Sequence, residues 1–582
     1  MPLNRLSCII NFMENNRTLR YTLLVIGCIL AVLFMGGEFV VYEGNDISTF
    51  FSGHISFSCL VSKIILVLGA LAVGKHRFEP IALGLGGLFS LAYLMGLSYL
   101  HYNSLICFNY SYMQMGLAFM MWLTYTFVFY VMITITYIGM DRVKMKQDDR
   151  PIFAISMVCI LLGWGVWMVL NYPASFNVDA IWQIDQFMNN TYSNHHPVLG
   201  TLIMKACYML GTWRSPNLGI FIYQVVQALY GSLVISYGFK LLQKRGVPFR
   251  ILLIFCLVFA FTPVWGCFAQ WYEKDMMYAI TFTLMILLSM ELLDEYDNKK
   301  MAVLVLVCLI ASLLRKSGIY EIVPLLVGFT CRKRKAGIGL IAFLVVYFVI
   351  SNVVYPTMGV SPGSSKEMYS IPFQQTARYV KYHSGEVTQE EKEGIGTVLD
   401  YYWVTQLYDP RISDPIKDVC YKADNPGMGT YWKTWFSMFL KHPGTYISAT
   451  LNNNYGFIAP VKGDIGPGID AEFTDERLYR YGIVCAKDKD VIAKLEGIKQ
   501  WSMEFNPIKY ICMPGWYTWL LFMVCGYAFR KKKYNILFLT IPLWMSGLVC
   551  IASPLSNEMR YILPVVMSLP YIYGYAISVR DI

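Results

Sequence analysis

Apolar residues along this chain gather into runs of about 20, the length an α-helix needs to cross the roughly 30 Å hydrocarbon core of a bilayer. Runs that reach or approach that length begin near Tyr21, His54, Pro80, Met113, Pro151, Leu218, Ile251, Met276, Met301, Gly318, Ala336, Ile511, Tyr534 and Arg560. The pattern predicts a polytopic α-helical membrane protein with about fourteen transmembrane helices. Two places test that number. The stretch 198–213 is apolar but short and holds Lys205, so it reads as an amphipathic helix lying in the interface. The hairpin over 301–330 has two short arms and carries Arg315 and Lys316 at its tip. Periodic hydropathy gives way over 356–510, where SPGSS, ADNPGMG, NNNYG and GDIGPG punctuate short helical stretches and Thr388 stands three residues before Glu391 as a capping box. That segment is predicted to be an extracellular, mixed but mostly helical domain. The linear division is then a four-helix membrane extension over 1–150, a transmembrane core over 151–355, the outer domain over 356–510, and a three-helix module over 511–582. No internal repeat or low-complexity tract is visible.

Charge supplies the orientation. Of 582 residues 56% are hydrophobic and 15% charged, and 48 Lys plus Arg against 38 Asp plus Glu leave a net charge of +10. The segment 356–510 holds 17 basic and 19 acidic residues, so the surplus lies elsewhere, in short loops at 17–20, 75–77, 142–146, 240–250, 299–300, 332–335 and 530–533. Alternate loops are basic. This is the signature of cytoplasmic anchors rather than of a nucleic-acid-binding face, and it predicts a multi-pass plasma-membrane protein with both termini inside. The first apolar run follows a basic N-terminus without an evident small-residue cleavage site, so it is expected to be retained as a span. Most of the 15 cysteines fall in or beside the runs, where they act as small apolar residues. Cys420 and Cys485 lie in the outer segment and either pair or stay free.

Candidate chemistry collects at the predicted outer ends of the spans. In NYPASFNVDAIWQIDQFMNN, after the fifth run, Asn177 or Ser175 can start a helix with Asp179 in its first turn. Helical spacing puts Trp182, Gln183 and Gln186 on the side of Asp179 and displaces Asp185. An ordinary interfacial helix with Asp179 in a helix-start role is the plain alternative. His195 and His196 are adjacent, a spacing at which side chains diverge, so one ring serving a phosphate or orienting Asp179 while the other packs accounts for them better than a metal does. QWYEKDMMYA packs Glu273, Lys274 and Asp275 into a tight loop, where plain solvation would also account for them. Arg315 and Lys316 break the positive-inside tendency, which calls for an anion such as a lipid phosphate, with snorkelling to headgroups as the alternative. Glu558, Arg560 and Tyr561 stand at the mouth of the last run, and Arg560 is a second phosphate candidate.

Together these features resemble the GT-C superfamily of membrane glycosyltransferases. HHPVLGTLIMK is similar to the interfacial helix of protein O-mannosyltransferases. YPASFNVD, HHP, EKD, LLRKSG, IPFQQTARYV, KHPGTY and MRYILP, spread over 172–564, resemble uncharacterised polytopic GT-C-like proteins of Gram-positive bacteria. The resemblance implies a GT-C-like seven-helix core from the run at Pro151 to that at Ala336. It also implies a polyprenyl-phosphate sugar as donor and a glycan, lipid or protein acceptor. In that scheme Asp179 is the general base of an inverting transfer. Arg315, Lys316 and Arg560, with Tyr561 beside it, hold the departing phosphate, and Lys274 or Asp275 positions acceptor or donor, with Gln183, Asp185, His195 and His196 as further substrate contacts. Ala180 stands where mannosyltransferases often carry a second acid, so neither their mechanism nor their sugar identity carries over literally. A monophosphate donor needs no metal when fixed cations neutralise the leaving group, so no cofactor is expected, and a divalent ion is not favoured. Two rival functions remain: a flippase or transporter of a lipid-linked glycan, and a glycan polymerase or ligase using a lipid-diphosphate donor.

Overall fold

The computed structural model describes residues 16–43, 50, 57–422, 427–466, 468–469, 473, 475–506, 508–553 and 555–579. His54, where the second run was expected to begin, lies outside them. In chain order the principal helices are α1 (Arg17–Phe34), α2 (Phe57–Gly74), α3 (Pro80–Tyr102), α4 (Tyr112–Arg142), α5 (Ile152–Leu170), α6 (Val178–Asn189) and α7 (Val198–Gly211). Then come α8 (Pro216–Lys244), α9 (Phe249–Phe261), α10 (Pro263–Ala269), α11 (Lys274–Asp294), α12 (Asn298–Leu314), α13 (Gly318–Arg332) and α14 (Ala336–Thr357). After these follow α15 (Ser370–Tyr382), α16 (Met428–Lys441), α17 (Pro443–Ile458), α18 (Lys489–Glu504), α19 (Pro514–Arg530), α20 (Tyr534–Ile551) and α21 (Met559–Ser578). Among the described residues β-structure is confined to isolated bridges.

Among the described residues every apolar run identified in the sequence contains a helix, and the protein is a polytopic α-helical membrane protein. Among the described residues nine helices (α1, α3, α4, α5, α8, α11, α14, α20 and α21) are long and apolar enough to cross a bilayer, and α9 with α10 makes a tenth if the bent pair counts as one span. That is fewer than the fourteen expected. Beyond the bent pair the difference lies in four short helices: α12 and α19 have 17 residues each and α13 only 15, which at 1.5 Å per residue gives about 26 and 22 Å, and α2 is also among the shorter apolar helices. The stretch 198–213 is indeed a short helix of its own, α7.

The chain forms two compact units, and they do not follow the linear division. One comprises Met1–Val143, Gln374–Val461 and Thr518–Lys532; the other comprises Lys144–Phe373, Lys462–Tyr517 and Lys533–Ile582. The segment 356–510 is therefore shared, its middle belonging to the first unit and its two ends to the second. Hydropathy reads each run locally and carries no information about which runs pair. Cys420 and Cys485 are both free, the first buried and the second exposed.

In the second unit α11 is buried on nearly all sides, as a helix in the centre of a bundle must be. It packs against α8, α12 and α21, while α5 packs against α8 and α9. The predicted span from Ile251 is broken after Phe261, where α9 and α10 meet at 54°. Pro263 is the cause, because proline lacks an N–H and fits only the first turn of a new helix. The break delivers residues 270–273 to the start of α11.

Close approach of α5 to α9 depends on Gly163, where an added Cβ would stand 1.9 Å from the Ala260 carbonyl oxygen. Backbone cannot yield as a side chain can. Gly163→Ala is expected to cost about 1–3 kcal/mol through overpacking, read as a lowered melting temperature of the detergent-purified protein. Gly165→Ala, two residues on in the same helix with nothing within 4 Å of the new methyl, is the control and should leave it unchanged or slightly raised. Equal effects of the two substitutions would refute this packing.

Candidate functional site: a carboxylate between two cations

Two extended segments carry the site. Residues 171–177 follow α5 and run beside residues 270–273, with Ser175 and Trp271 forming a parallel bridge. The Ser175 amide donates to the Gln270 carbonyl at 3.1 Å, and the Tyr272 amide donates to the Ser175 carbonyl at 2.9 Å. Buried side chains brace the pair. The Gln270 side-chain carbonyl accepts from the Ser175 amide at 3.0 Å and from the Asn171 side-chain amide, which also donates to Ser175 Oγ at 2.8 Å. An unpaired buried amide costs about 1–3 kcal/mol, so these bonds select one register.

Asn177 caps α6: its Oδ1 accepts from the Ala180 amide at 2.8 Å, and its Nδ2 donates to Glu273 Oε2 at 2.6 Å. Asp179 therefore falls in the first turn, where unsatisfied N–H groups favour negative charge. Glu273 in turn caps α11. Its Oε1 accepts from the Lys274 amide at 2.9 Å and from Lys274 Nζ at 2.9 Å, and its backbone carbonyl accepts from the Tyr223 hydroxyl at 3.0 Å. Lys274 Nζ also lies 3.6 Å from Asp179 Oδ2. From the start of α21, Arg560 Nη1 donates to the same oxygen at 3.2 Å, and Arg560 Nε is 3.4 Å from Glu558 Oε2. The two carboxylates differ in access: the Glu273 side chain is 1% exposed and that of Asp179 is 36% exposed.

α21 is not capped by its own N-cap residue Glu558 but from a distance by Asp464, whose Oδ2 accepts from the Met559 amide at 2.8 Å while Oδ1 accepts from the Gly466 amide at 3.3 Å. Asp464 thereby sets where Arg560 stands. This residue was missed in the sequence, where GDIGPG reads as a turn. The bracing residues Asn171, Ser175 and Gln270 and the Tyr223 hydroxyl were missed too; polar residues beside apolar runs were the available signal.

Each ionisable group responds to its surroundings. Burial works to raise the Asp179 carboxyl, but Lys274 and then Arg560 outweigh it and hold the group well below the usual carboxylate range. Glu273 is raised, chiefly by burial, with Lys274 opposing. Burial followed by the neighbouring Asp464 charge pushes Glu558 up to about 7 against the pull of Arg560. The His196 imidazole falls to about 3, through burial first and Lys274 second, with Asp179 opposing, so it is neutral at physiological pH.

The other predicted site residues divide. Arg315 leaves the end of α12 between the rings of Tyr278 and Tyr561, 5.4 and 5.5 Å from their centroids, and donates to the Tyr561 carbonyl at 3.4 Å. Tyr561 also accepts from Arg560 Nη2 at 3.0 Å through its hydroxyl. Asp275 is buried in the first turn of α11 and acts electrostatically on both Arg315 and Arg560. His196 is buried, with the exposed His195 ring edge-on to it at 4.7 Å between centroids. Lys316 is exposed and lies against Gly363, beside the Asn194 carbonyl. Gln183 is buried and donates to Thr201 Oγ1 at 2.9 Å, which ties α6 to α7. Asp185 turns away: its Oδ1 accepts from the Tyr481 hydroxyl at 2.5 Å and from the Asn189 amide at 3.1 Å. The helix face shared by Trp182, Gln183 and Gln186 also splits, since both amides are buried whereas Trp182 is exposed under the Arg477 guanidinium.

Residues 188–575 match the family of unknown function DUF6020. No curated protein and no solved structure matches the chain.

Glu558 gives this site a pH dependence with a definite sign. Its folded value lies above the roughly 4.3 of a free glutamate, so its contribution to stability is complete below about pH 4 and is lost as pH rises through about 7. The melting temperature of the wild type relative to that of Glu558→Gln should therefore fall between pH 5 and pH 8, by the equivalent of a few kcal/mol at most. A difference independent of pH would show that Glu558 does not titrate in this range.

Proposed function

The chain belongs to the DUF6020 family, whose function is unknown, and from its carboxylate site at the ends of apolar helices we propose that it is a GT-C type glycosyltransferase. The reading is of an inverting enzyme that moves a sugar from a polyprenyl-phosphate donor to a hydroxyl acceptor on the extracytoplasmic side of the plasma membrane. One observation carries it: Asp179, open to the site, shares its Oδ2 with Lys274 and Arg560 at the mouths of two apolar helices.

That arrangement supplies both halves of the reaction. A phosphate at the site competes with Asp179 for Lys274 and Arg560, and Arg suits it through paired N–H donors. Arg315, held between two tyrosine rings with no carboxylate within 4.0 Å among the described residues, adds a third cation. As the donor phosphate draws these cations, Asp179 loses the partners that depress its pKa and becomes a better base. The acceptor hydroxyl then attacks the anomeric carbon, its proton passes to Asp179, and the bond from that carbon to the phosphate oxygen breaks. Polyprenyl phosphate leaves with the electron pair, and the cations stabilise its added charge. Glu273 keeps Lys274 charged and aimed throughout. The exposed Val178 and Trp182 beside Asp179 suit an interfacial position, where apolar side chains meet lipid.

Asp179→Asn keeps the shape of the side chain and frees the cations. Against a panel of polyprenyl-phosphate sugars, it is expected to lower transfer by at least about 100-fold while membrane insertion is unchanged and donor binding is equal or tighter. Undiminished transfer by purified Asp179→Asn protein would sink the mechanism. Lipid movement by the wild type without any glycosyl transfer would replace it with a flippase.

A further inference from the structure

Far along the chain from Asp179, three residues of the other unit bring metal-binding atoms together. His383 follows the end of α15, Glu386 lies three residues further on, and His442 stands between α16 and α17. Their ligand atoms all lie within 4.8 Å of one another. His383 Nδ1 is 3.4 Å from Glu386 Oε1, and His442 Nε2 is 2.8 Å from Glu386 Oε2. We propose that His383, Glu386 and His442 form a binding site for a divalent transition-metal ion, Zn2+ in the first instance, which clasps the end of α15 to the start of α17. This site is independent of the glycosyl-transfer reading.

The donor set fits the ion. Two imidazoles and one carboxylate are borderline ligands that suit Zn2+ and leave one position for water. Two Zn–N bonds at a tetrahedral angle separate their nitrogens by about 3.4 Å, so the atoms need shifts of only about 1 Å. The backbone is already fixed, because the His383 amide donates to the Tyr379 carbonyl at 2.8 Å, the Glu386 amide to the His383 carbonyl at 2.9 Å, and the His442 amide to the Met438 carbonyl at 3.1 Å. The outer partner of one ligand is in place too. His383 Nε2 lies 2.8 Å from Thr445 Oγ1, which leaves Nδ1 as the ligating nitrogen once Nε2–H donates to the hydroxyl. The His383 and His442 rings stack at 3.7 Å between centroids and 17° between planes. Parallel rings cannot both point a lone pair at one ion, so binding turns one imidazole, and the carboxylate moves from accepting hydrogen bonds to ligating.

The test uses the full chain in detergent, stripped with a chelator and then titrated with Zn2+ by calorimetry. In a parallel sample Co2+ serves as a visible-absorption probe of tetrahedral geometry. The expected result is about one equivalent bound with release of protons, a tetrahedral Co2+ spectrum, and a melting temperature raised by Zn2+. His383→Ala and His442→Ala should each lose the equivalent and the spectrum. Glu386→Gln, at an exposed position, should keep the metal-free melting temperature and lose the Zn2+ increment. Thr445→Val should bind about 10-fold more weakly. Failure of the wild type to take up Zn2+, or equal uptake by wild type and Glu386→Gln, would overturn the proposal; either would leave a purely hydrogen-bonded His–Glu–His clasp. Neither result bears on transfer by Asp179.

Discussion

A single ammonium group stands between two carboxylates of unequal access, and the site depends on that inequality. Lys274 lies 2.9 Å from Glu273, which is sealed, and 3.6 Å from Asp179, which is open. Charges removed from water cost several kcal/mol each unless they are paired and hydrogen-bonded. Glu273 meets that condition permanently, through Lys274 on one oxygen and Asn177 on the other. The second pairing of Lys274 is therefore free to exchange. A lysine without Glu273 would need Asp179 to stay charged in the wall of the bundle, and one without Asp179 would present no replaceable partner.

Geometry upstream serves this one contact. Pro263 breaks the helix that would otherwise run past the site, and the freed segment pairs with residues 171–177 through backbone and buried amide bonds. α6 and α11 begin on these two segments, so the first turns that bear Asp179 and Lys274 are set by the same few hydrogen bonds. Polar groups buried at helix ends have few alternative partners in apolar surroundings, which makes such bracing specific as well as stabilising.

Much of this was legible in the sequence because it is local. Apolar runs of sufficient length name the helices, Asn177 announces the start of α6, and Lys274, Arg315 and Arg560 stand out as cations outside the basic loops. What was not legible is long-range. Nothing in GDIGPG marks Asp464 as the cap of a helix beginning at Met559, and nothing beside Asp185 shows that Tyr481 will take it. Run length also does not register where α12 and α13 stop or where Pro263 bends the chain. The interleaving of the two units is beyond hydropathy for the same reason: period and composition describe faces, not partners.

The ion pair of Asp179 with Arg560 joins residues 381 positions apart. A ribosome makes the chain from one end, so α6 and α11 are in place long before α21 emerges. Of the cations within 4.0 Å of Asp179 among the described residues, α11 brings Lys274 and α21 brings Arg560, and the amide that Asp464 caps belongs to α21 as well. α21 thus completes the pairing of Asp179, adding the Arg560 guanidinium to the Lys274 ammonium that α11 brings.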